Sequence, residues 1–291
     1  MAISNSSTLN DLVGQIVADQ AQSAAYSTRV MRPLVRTHAL PPGAGSIVVP
    51  RFQALTVSSL TEGTAPASTT WSSDGVTLTP VERGVYVQIS KRALFADPFS
   101  DLAPYGDQIG RALAQDEDAL ILDAVDLTSN IVNEQGAGAN NVLLADHLTA
   151  MGMLEADSAP GPYFAVYHPV SWAKVRAGLD ASEVIAFNAP GAQLANGFGE
   201  GLTNLNGFVG APYGVPTFIS TQVNAVVGDA ASYANLMFSR EAIGYAFMQD
   251  LGVDVDDNIT ARAFDLMGWY SGDADELVDT WGVQIEDDID G

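Results

Sequence analysis

The first hydrophobic pattern along the chain has a helical period. Apolar side chains recur at spacings of three and four residues and therefore share one helical face, at Leu9, Leu12, Val13, Ile16 and Val17. A lone amphipathic helix must cover such a face with its own core or with a neighbouring molecule. The pattern predicts an N-terminal helix that docks onto another surface.

An arginine-rich segment follows this helix. Residues 1–60 contain four arginines (Arg29, Arg32, Arg36 and Arg51) but only two aspartates. This local positive charge has two interpretations, and the sequence leaves both open. It is either ordinary surface charge or part of an arm that lies on an acidic second copy of the chain.

Alternating apolar and polar residues predict two β-strands within residues 46–90. Ile47 and Val49 mark the first strand, and the second is marked by Val76 and Leu78 and then by Val85, Val87 and Ile89. The connection between them is small and polar and offers almost nothing for a core. Because an isolated two-stranded hairpin is at best marginally stable in water, we predict one long hairpin that extends onto a neighbouring subunit.

A long helix is predicted after the hairpin, over residues 100–128. Ser100 or Asp101 can cap its first turn, and Pro104 lies where its missing N–H does no harm. The apolar stripe of this helix comprises Ile109, Leu113, Leu120, Ile121, Ala124 and Leu127. Three consecutive acidic side chains are predicted to lie mostly off that stripe: Asp116, Glu117 and Asp118.

The remainder of the chain is of α+β character. Residues 130–232 mix short helices, a buried strand and glycine-rich loops. The tail returns to strands, with short ones at 244–249 and 253–257 and a hairpin formed by 260–270 and 277–286. The fold class expected from these patterns is α+β.

Composition excludes several classes of protein. The 291 residues include 12 basic and 35 acidic side chains, and a net charge of −23 argues against general electrostatic binding of nucleic acid. The lack of cysteine excludes a disulfide scaffold, a thiolate zinc site and a cysteine nucleophile. No secretory signal is evident at the start, and no stretch reaches the roughly 18 apolar residues of a membrane span. We therefore expect a soluble protein that stays in the compartment where it is made.

Candidate chemistry is sparse. The histidines His38, His147 and His168 lack metal-ligand spacing, and no nucleophile elbow or phosphate-binding loop is present. Residues 254–258 resemble part of a calcium loop but lack its glycine and terminal glutamate. A hydrolase using His168 and Ser171 lacks a recognisable acid partner. We predict no catalytic, cofactor-binding or metal site, and hence no enzyme.

The order of these parts resembles that of the major capsid protein of tailed bacteriophages, whose Hong Kong 97-type fold is also used by encapsulins. The resemblance covers nearly the whole chain. Four segments carry it, namely STLNDLVGQIVADQ, the tip Thr61-Glu62-Gly63-Thr64, VTLTPVERGVYVQIS, and FDLMGWYSGD with the later WGVQIEDD. These segments match in the order of the elements and in the general type of residue, and none of them is a specific motif.

The resemblance implies a division of the chain. Residues 1–45 would form an N-arm and residues 46–90 an extended E-loop hairpin. Residues 91–134 and 245–291 would form a peripheral (P) domain containing the spine helix 100–128, and residues 135–244 an axial (A) domain.

The resemblance also implies a function. The chain would be a structural, self-assembling capsid protein whose hexamers and pentamers form an icosahedral shell around the double-stranded DNA genome of a tailed phage. It would be located in the virion after assembly in the host cytoplasm. Its partners would be other copies of itself, with separate scaffolding, portal and cement proteins where these exist, and it would enclose DNA without sequence-specific binding and without contact with a membrane. The alternative is an encapsulin-like compartment that encloses cargo enzymes.

Contacts between subunits are expected from the arm and the hairpin. The residues predicted to make them are Leu9, Leu12, Val13, Ile16, Arg29, Arg32, Arg36, Arg51, Glu62, Trp71, Arg83, Lys91 and Arg92. Some relatives form a covalent Lys–Asn bond from this hairpin, but no lysine lies within residues 56–75 here. We therefore expect a shell held by burial and ion pairs, without covalent cross-links.

Overall fold

The computed structural model describes residues 6–41, 43–52, 57, 59, 73–92, 103–125, 130–133, 141–178, 206–226 and 229–288. The helices in these ranges are α1 (Ser6–Thr28), α2 (Ala103–Asp123), α3 (Leu144–Ala156) and α4 (Pro169–Ala177). The strands are β1 (Arg36–Ala39), β2 (Ile47–Phe52), β3 (Ser73–Leu78), β4 (Val81–Ser90), β5 (Ile131–Val132), β6 (Tyr163–Tyr167), β7 (Phe208–Gly210), β8 (Thr217–Ile219), β9 (Ala225–Val226), β10 (Asp229–Ser239), β11 (Ile243–Asn258), β12 (Ala263–Glu276) and β13 (Gly282–Asp288). Short 3₁₀ turns occur at Pro212–Gly214 and Asp279–Trp281.

The predicted N-terminal helix is confirmed as α1, but its buried face differs from the predicted stripe. Ile16 is 50% exposed, whereas Val17 and the alanines at 21 and 25 are fully buried. Small side chains are buried because α1 packs closely against α2. The side chains of Leu9, Leu12 and Val13 are not among those that the structure describes.

The predicted spine helix is confirmed as α2, over Ala103–Asp123. The flanking positions 100–102 and 126–129 of the predicted range lie outside the described residues. Its apolar stripe is buried as expected at Ile109, Leu113 and Ile121. The stripe packs against the sheet that contains β4, β11 and β12.

The prediction of one long hairpin over residues 46–90 is wrong in its second half. Only β3 pairs with β2, whereas β4 pairs along its whole length with β12 in a four-stranded sheet of order β1-β11-β12-β4. Pro80 separates β3 from β4 because it cannot donate a ladder hydrogen bond. Beyond it, Val85 and Val87 pack against the spine helix, which explains their alternating pattern.

The hairpin predicted from 260–270 and 277–286 is also wrong. β12 pairs with β11 and β4, whereas β13 pairs with β10 in a separate sheet. The two short strands predicted at 244–249 and 253–257 form one strand, β11, with bulges near Gln249. Long β11 and β12 satisfy each other's backbone groups, so β13 is available to the other sheet.

The second large sheet has the order β5-β13-β10-β6-β8-β7, with β9 paired to β10. It draws strands from both the predicted A and P domains, and the proposed division of the chain stays a prediction. A shared core joins this sheet to the rest of the protein. Met31 and Leu34 of the segment after α1 are fully buried in it, together with Ile121 of the spine helix and Phe238 of β10.

Candidate assembly surfaces

Helices α1 and α2 cross at near backbone contact. A methyl group at Gly106 would lie 2.7 Å from the carbonyl oxygen of Val17, and one at Gly110 would overlap the carbonyl oxygen of Ala21. Glycines one helical turn apart on α2 therefore let the two backbones approach each other. The N-terminal helix is seated on the spine helix of its own chain.

Three consecutive acids of the spine helix lie beside this crossing: Asp116 binds two strands, and Glu117 and Asp118 bind the segment after α1. Asp116 accepts a hydrogen bond from the hydroxyl of Tyr270 on β12 at 2.6 Å. It also accepts one from the guanidinium of Arg83 on β4 at 3.3 Å. Asp116 thus ties the spine helix to two strands of the four-stranded sheet.

Glu117 faces the arginines of the segment after α1. Its carboxylate lies 3.5 Å from Arg29 Nε and 3.4 Å from Arg32 Nη1. Arg32 also binds Asp250 of β11 at 2.8 Å. Burial acts to raise the pKa of Asp250, but the hydrogen bonds from Arg32 and from the N–H of Leu251, together with the charges of Arg32 and Arg29, outweigh it and hold that pKa below its usual value.

The same two arginines are held by aromatic rings. The guanidinium carbon of Arg29 lies 4.7 Å from the centre of the Tyr26 ring. That of Arg32 lies 4.4 Å from the centre of the Phe247 ring. Cation–π contacts of this kind fix the direction of a guanidinium as well as stabilising it.

Asp118 holds the backbone of the arm. Its carboxylate accepts hydrogen bonds from the N–H groups of Val30 and Met31, each at 2.9 Å. Burial raises the pKa of Asp118 to about 7, although the hydrogen bonds from Met31 and Val30 and the charge of Arg29 lower it. An acid with a pKa in that range changes its charge near neutral pH.

Of the other predicted contact residues that are described, the arginines are exposed and Lys91 is half-buried. Arg36 pairs with Glu241 at 2.8 Å, and Lys91 pairs with Asp257 at 2.6 Å. Arg51 and Arg92 are exposed, on β2 and just after β4. Glu62 and Trp71 lie outside the described residues. Arg36 and Lys91 thus have ion-pair partners within their own chain. That any of these residues makes a contact between subunits stays a prediction.

Sequence reasoning missed that Glu117 and Asp118 are buried. A usable signal was present, because both stand four residues after buried apolar positions, Leu113 and Ala114. It also missed Arg240, an exposed side chain in the turn between β10 and β11. Among the described residues, no group of three metal-ligating side chains is found, and no helix is long and apolar enough to span a membrane.

No family model and no curated protein matches the chain. Solved structures do match it. The capsid of the cyanophage P-SCSP1u is 13% identical, with 87% of this chain and 86% of that chain covered and a TM-score of 0.61. The capsid of an empty GTA particle is 16% identical over 90% of each chain, also at 0.61. A virus-like particle from Pyrococcus furiosus is 11% identical over 93% of this chain and 98% of that chain, at 0.60. The chain therefore has the Hong Kong 97-type capsid fold.

Proposed function

We propose that this chain is the major capsid protein of a tailed bacteriophage, and that its hexamers and pentamers close into an icosahedral shell around double-stranded DNA. The observation that carries the proposal is the likeness of nearly the whole chain, about 90% of its length, to capsid subunits. The role is structural rather than catalytic. The protein acts in the virion after assembly in the host cytoplasm.

One face of the β2–β3 hairpin is buried against its own subunit at Val49 and Leu78, and the opposite face supports self-assembly. β2 and β3 form a sheet of two strands, and Val48 on its surface is 59% exposed. Such a sheet gains stability when a further surface covers it. A neighbouring copy would supply that surface, and the same contact repeated around a closed shell multiplies a modest energy.

A second candidate is an encapsulin-like compartment that encloses enzymes. The likeness to the virus-like particle from Pyrococcus furiosus favours it, because the match covers 98% of that chain. The two functions differ in what the shell encloses. Scaffolding, portal and cement proteins would accompany the capsid function, and a cargo enzyme would accompany the compartment.

Electron microscopy of the purified chain tests the proposal. The recombinant protein is separated by size-exclusion chromatography, concentrated over a series of salt concentrations and imaged in negative stain. We expect closed shells or rings of five and six subunits. A chain that remains monomeric throughout would contradict self-assembly. Nuclease-protected DNA in shells from the native host supports the capsid function, whereas a co-purifying enzyme supports the compartment.

A further inference from the structure

A groove about 420 Å³ in volume lies between the end of α1 and the turn that joins β10 to β11. Its polar lining comprises Arg29, Arg32, Thr37, Asn206, Arg240 and Asp250. We call it the arginine groove. Three of these side chains are cationic and one is anionic, in a chain whose net charge is −23.

The cations of the arginine groove are unequally neutralised. Arg29 and Arg32 are offset by Glu117 and Asp250. Arg240 is exposed and has no ion-pair partner among the residues that the structure describes. The surplus positive charge of the groove therefore belongs to Arg240.

The floor of the groove is formed by a guanidinium that is fixed in place. Arg29 is only 8% exposed, and its buried Nε lies 3.5 Å from the carboxylate of Glu117 without a hydrogen bond to it. The ring of Tyr26 holds its guanidinium in place, and Asn206 in turn donates to the carbonyl oxygen of Tyr26 at 3.1 Å. A rigid donor loses little conformational freedom when an acceptor arrives.

We propose that the arginine groove binds a carboxylate side chain of a second copy of this chain. The inference rests on the proposed function, since it names one contact through which copies assemble. Each copy carries 35 acidic and 12 basic side chains, so the surface that one copy offers another is rich in carboxylates. Charge-assisted hydrogen bonds from guanidinium to carboxylate are among the stronger polar contacts.

A phosphate of DNA is the less favourable occupant. A DNA duplex and a second copy of the chain both carry excess negative charge and meet the same repulsion, but a second copy also buries protein surface around the carboxylate, whereas a duplex would depend on the positive charge of the groove alone. One copy has both the groove and the acids. The contact can therefore be passed from subunit to subunit around a ring.

The first test compares the assembly of charge variants. Arg240→Glu faces the incoming carboxylate with a like charge, and we expect it to raise the critical concentration for assembly at least about tenfold in sedimentation velocity. Arg240→Lys should restore most of the loss. The matched control is Arg176→Glu, an exposed arginine at the end of α4 and outside the groove. Thermal unfolding of each variant confirms that the subunit is folded.

The second test identifies the partner. Arg240→Lys protein is assembled from equal amounts of normal and ¹⁵N-labelled chains and treated with a carbodiimide, which joins an amine to a carboxylate without a spacer. Mass spectrometry should find residue 240 linked to an aspartate or glutamate of the differently labelled copy. A link confined to one copy overturns the inference.

The outcomes separate the two proposals. Arg240→Glu protein that assembles like the parent, or an equal loss in Arg176→Glu, overturns the groove contact and leaves the capsid function intact. A parent chain that never assembles overturns both. Unchanged assembly together with weaker binding of a 20-base-pair DNA duplex to Arg240→Glu would assign the groove to phosphate, against the inference.

Discussion

The carboxylate of Asp118 in the spine helix accepts the backbone N–H of Met31 at 2.9 Å, 87 residues away in the sequence. It also accepts the N–H of Val30, so one buried side chain satisfies two successive donors just after α1 ends. Those donors would otherwise be buried without a partner. The path of the arm across its own subunit thus depends on an acid in a distant helix.

Replacing Asp118 should destabilise the segment that follows α1. Asp118→Ala leaves two buried N–H groups without an acceptor, and we expect a loss of roughly 2–3 kcal/mol in the free energy of unfolding at pH 6. Urea unfolding measures it, and hydrogen exchange at Val30 and Met31 should accelerate. The control is Asp123→Ala at an exposed position of the same helix, expected to change stability by less than about 0.5 kcal/mol. Equal losses in the two variants would contradict this account.

The same acid should make stability depend on pH. Burial raises the pKa of Asp118 in the folded chain to about 7 from an ordinary 3.8, so the folded state binds its proton more tightly than the unfolded state. The resulting stabilisation is fully present below about pH 4 and is lost as the pH rises through about 7. Urea midpoints between pH 5 and pH 8 should therefore show a smaller cost of Asp118→Ala at the higher pH. A difference between parent and variant that is constant over this range would count against a raised pKa.

The helix crossing gives a steric prediction. Gly110→Ala places a methyl group against the carbonyl oxygen of Ala21, and we expect it to destabilise the protein by roughly 2–3 kcal/mol as the helices are forced apart. Gly152→Ala is the matched control, because it makes the same change in helix α3 with no atom within 4 Å. There the change should be neutral or stabilise by up to about 1 kcal/mol. Similar thermal midpoints for the two variants would refute close backbone packing.

The spine helix could be predicted from sequence, and the partners of the strands could not. Apolar residues at helical spacing make α2 visible within a short window, as Ile109 and Leu113 show. Alternation marks β4 as a strand but does not say that it pairs with β12, because the same pattern fits any sheet with one buried face. The pairing is decided by packing of Val85 over the spine helix, a contact between distant parts of the chain.

The candidate site was hidden for a different reason. The partners of Asp118 are backbone groups, which every residue except proline carries, so no side-chain motif announces them. The buried face of α1 was misjudged because Ala21 and Ala25 are too small to stand out as a hydrophobic stripe, although Gly106 and Gly110 make that smallness necessary. The arginines were identified from their charge, but their neutralisation by Glu117 and Asp250 depends on the tertiary fold.

The break at Pro80 has a mechanical consequence for an assembled shell. β3 belongs to the two-stranded sheet and β4 to the four-stranded sheet, and only two residues separate them. A pull transmitted along β3 therefore reaches β4, all ten residues of which are paired with β12. The force is distributed over the hydrogen bonds between β4 and β12 and over the packing of β4 against the spine helix. No single hydrogen bond has to carry the tension on one subunit.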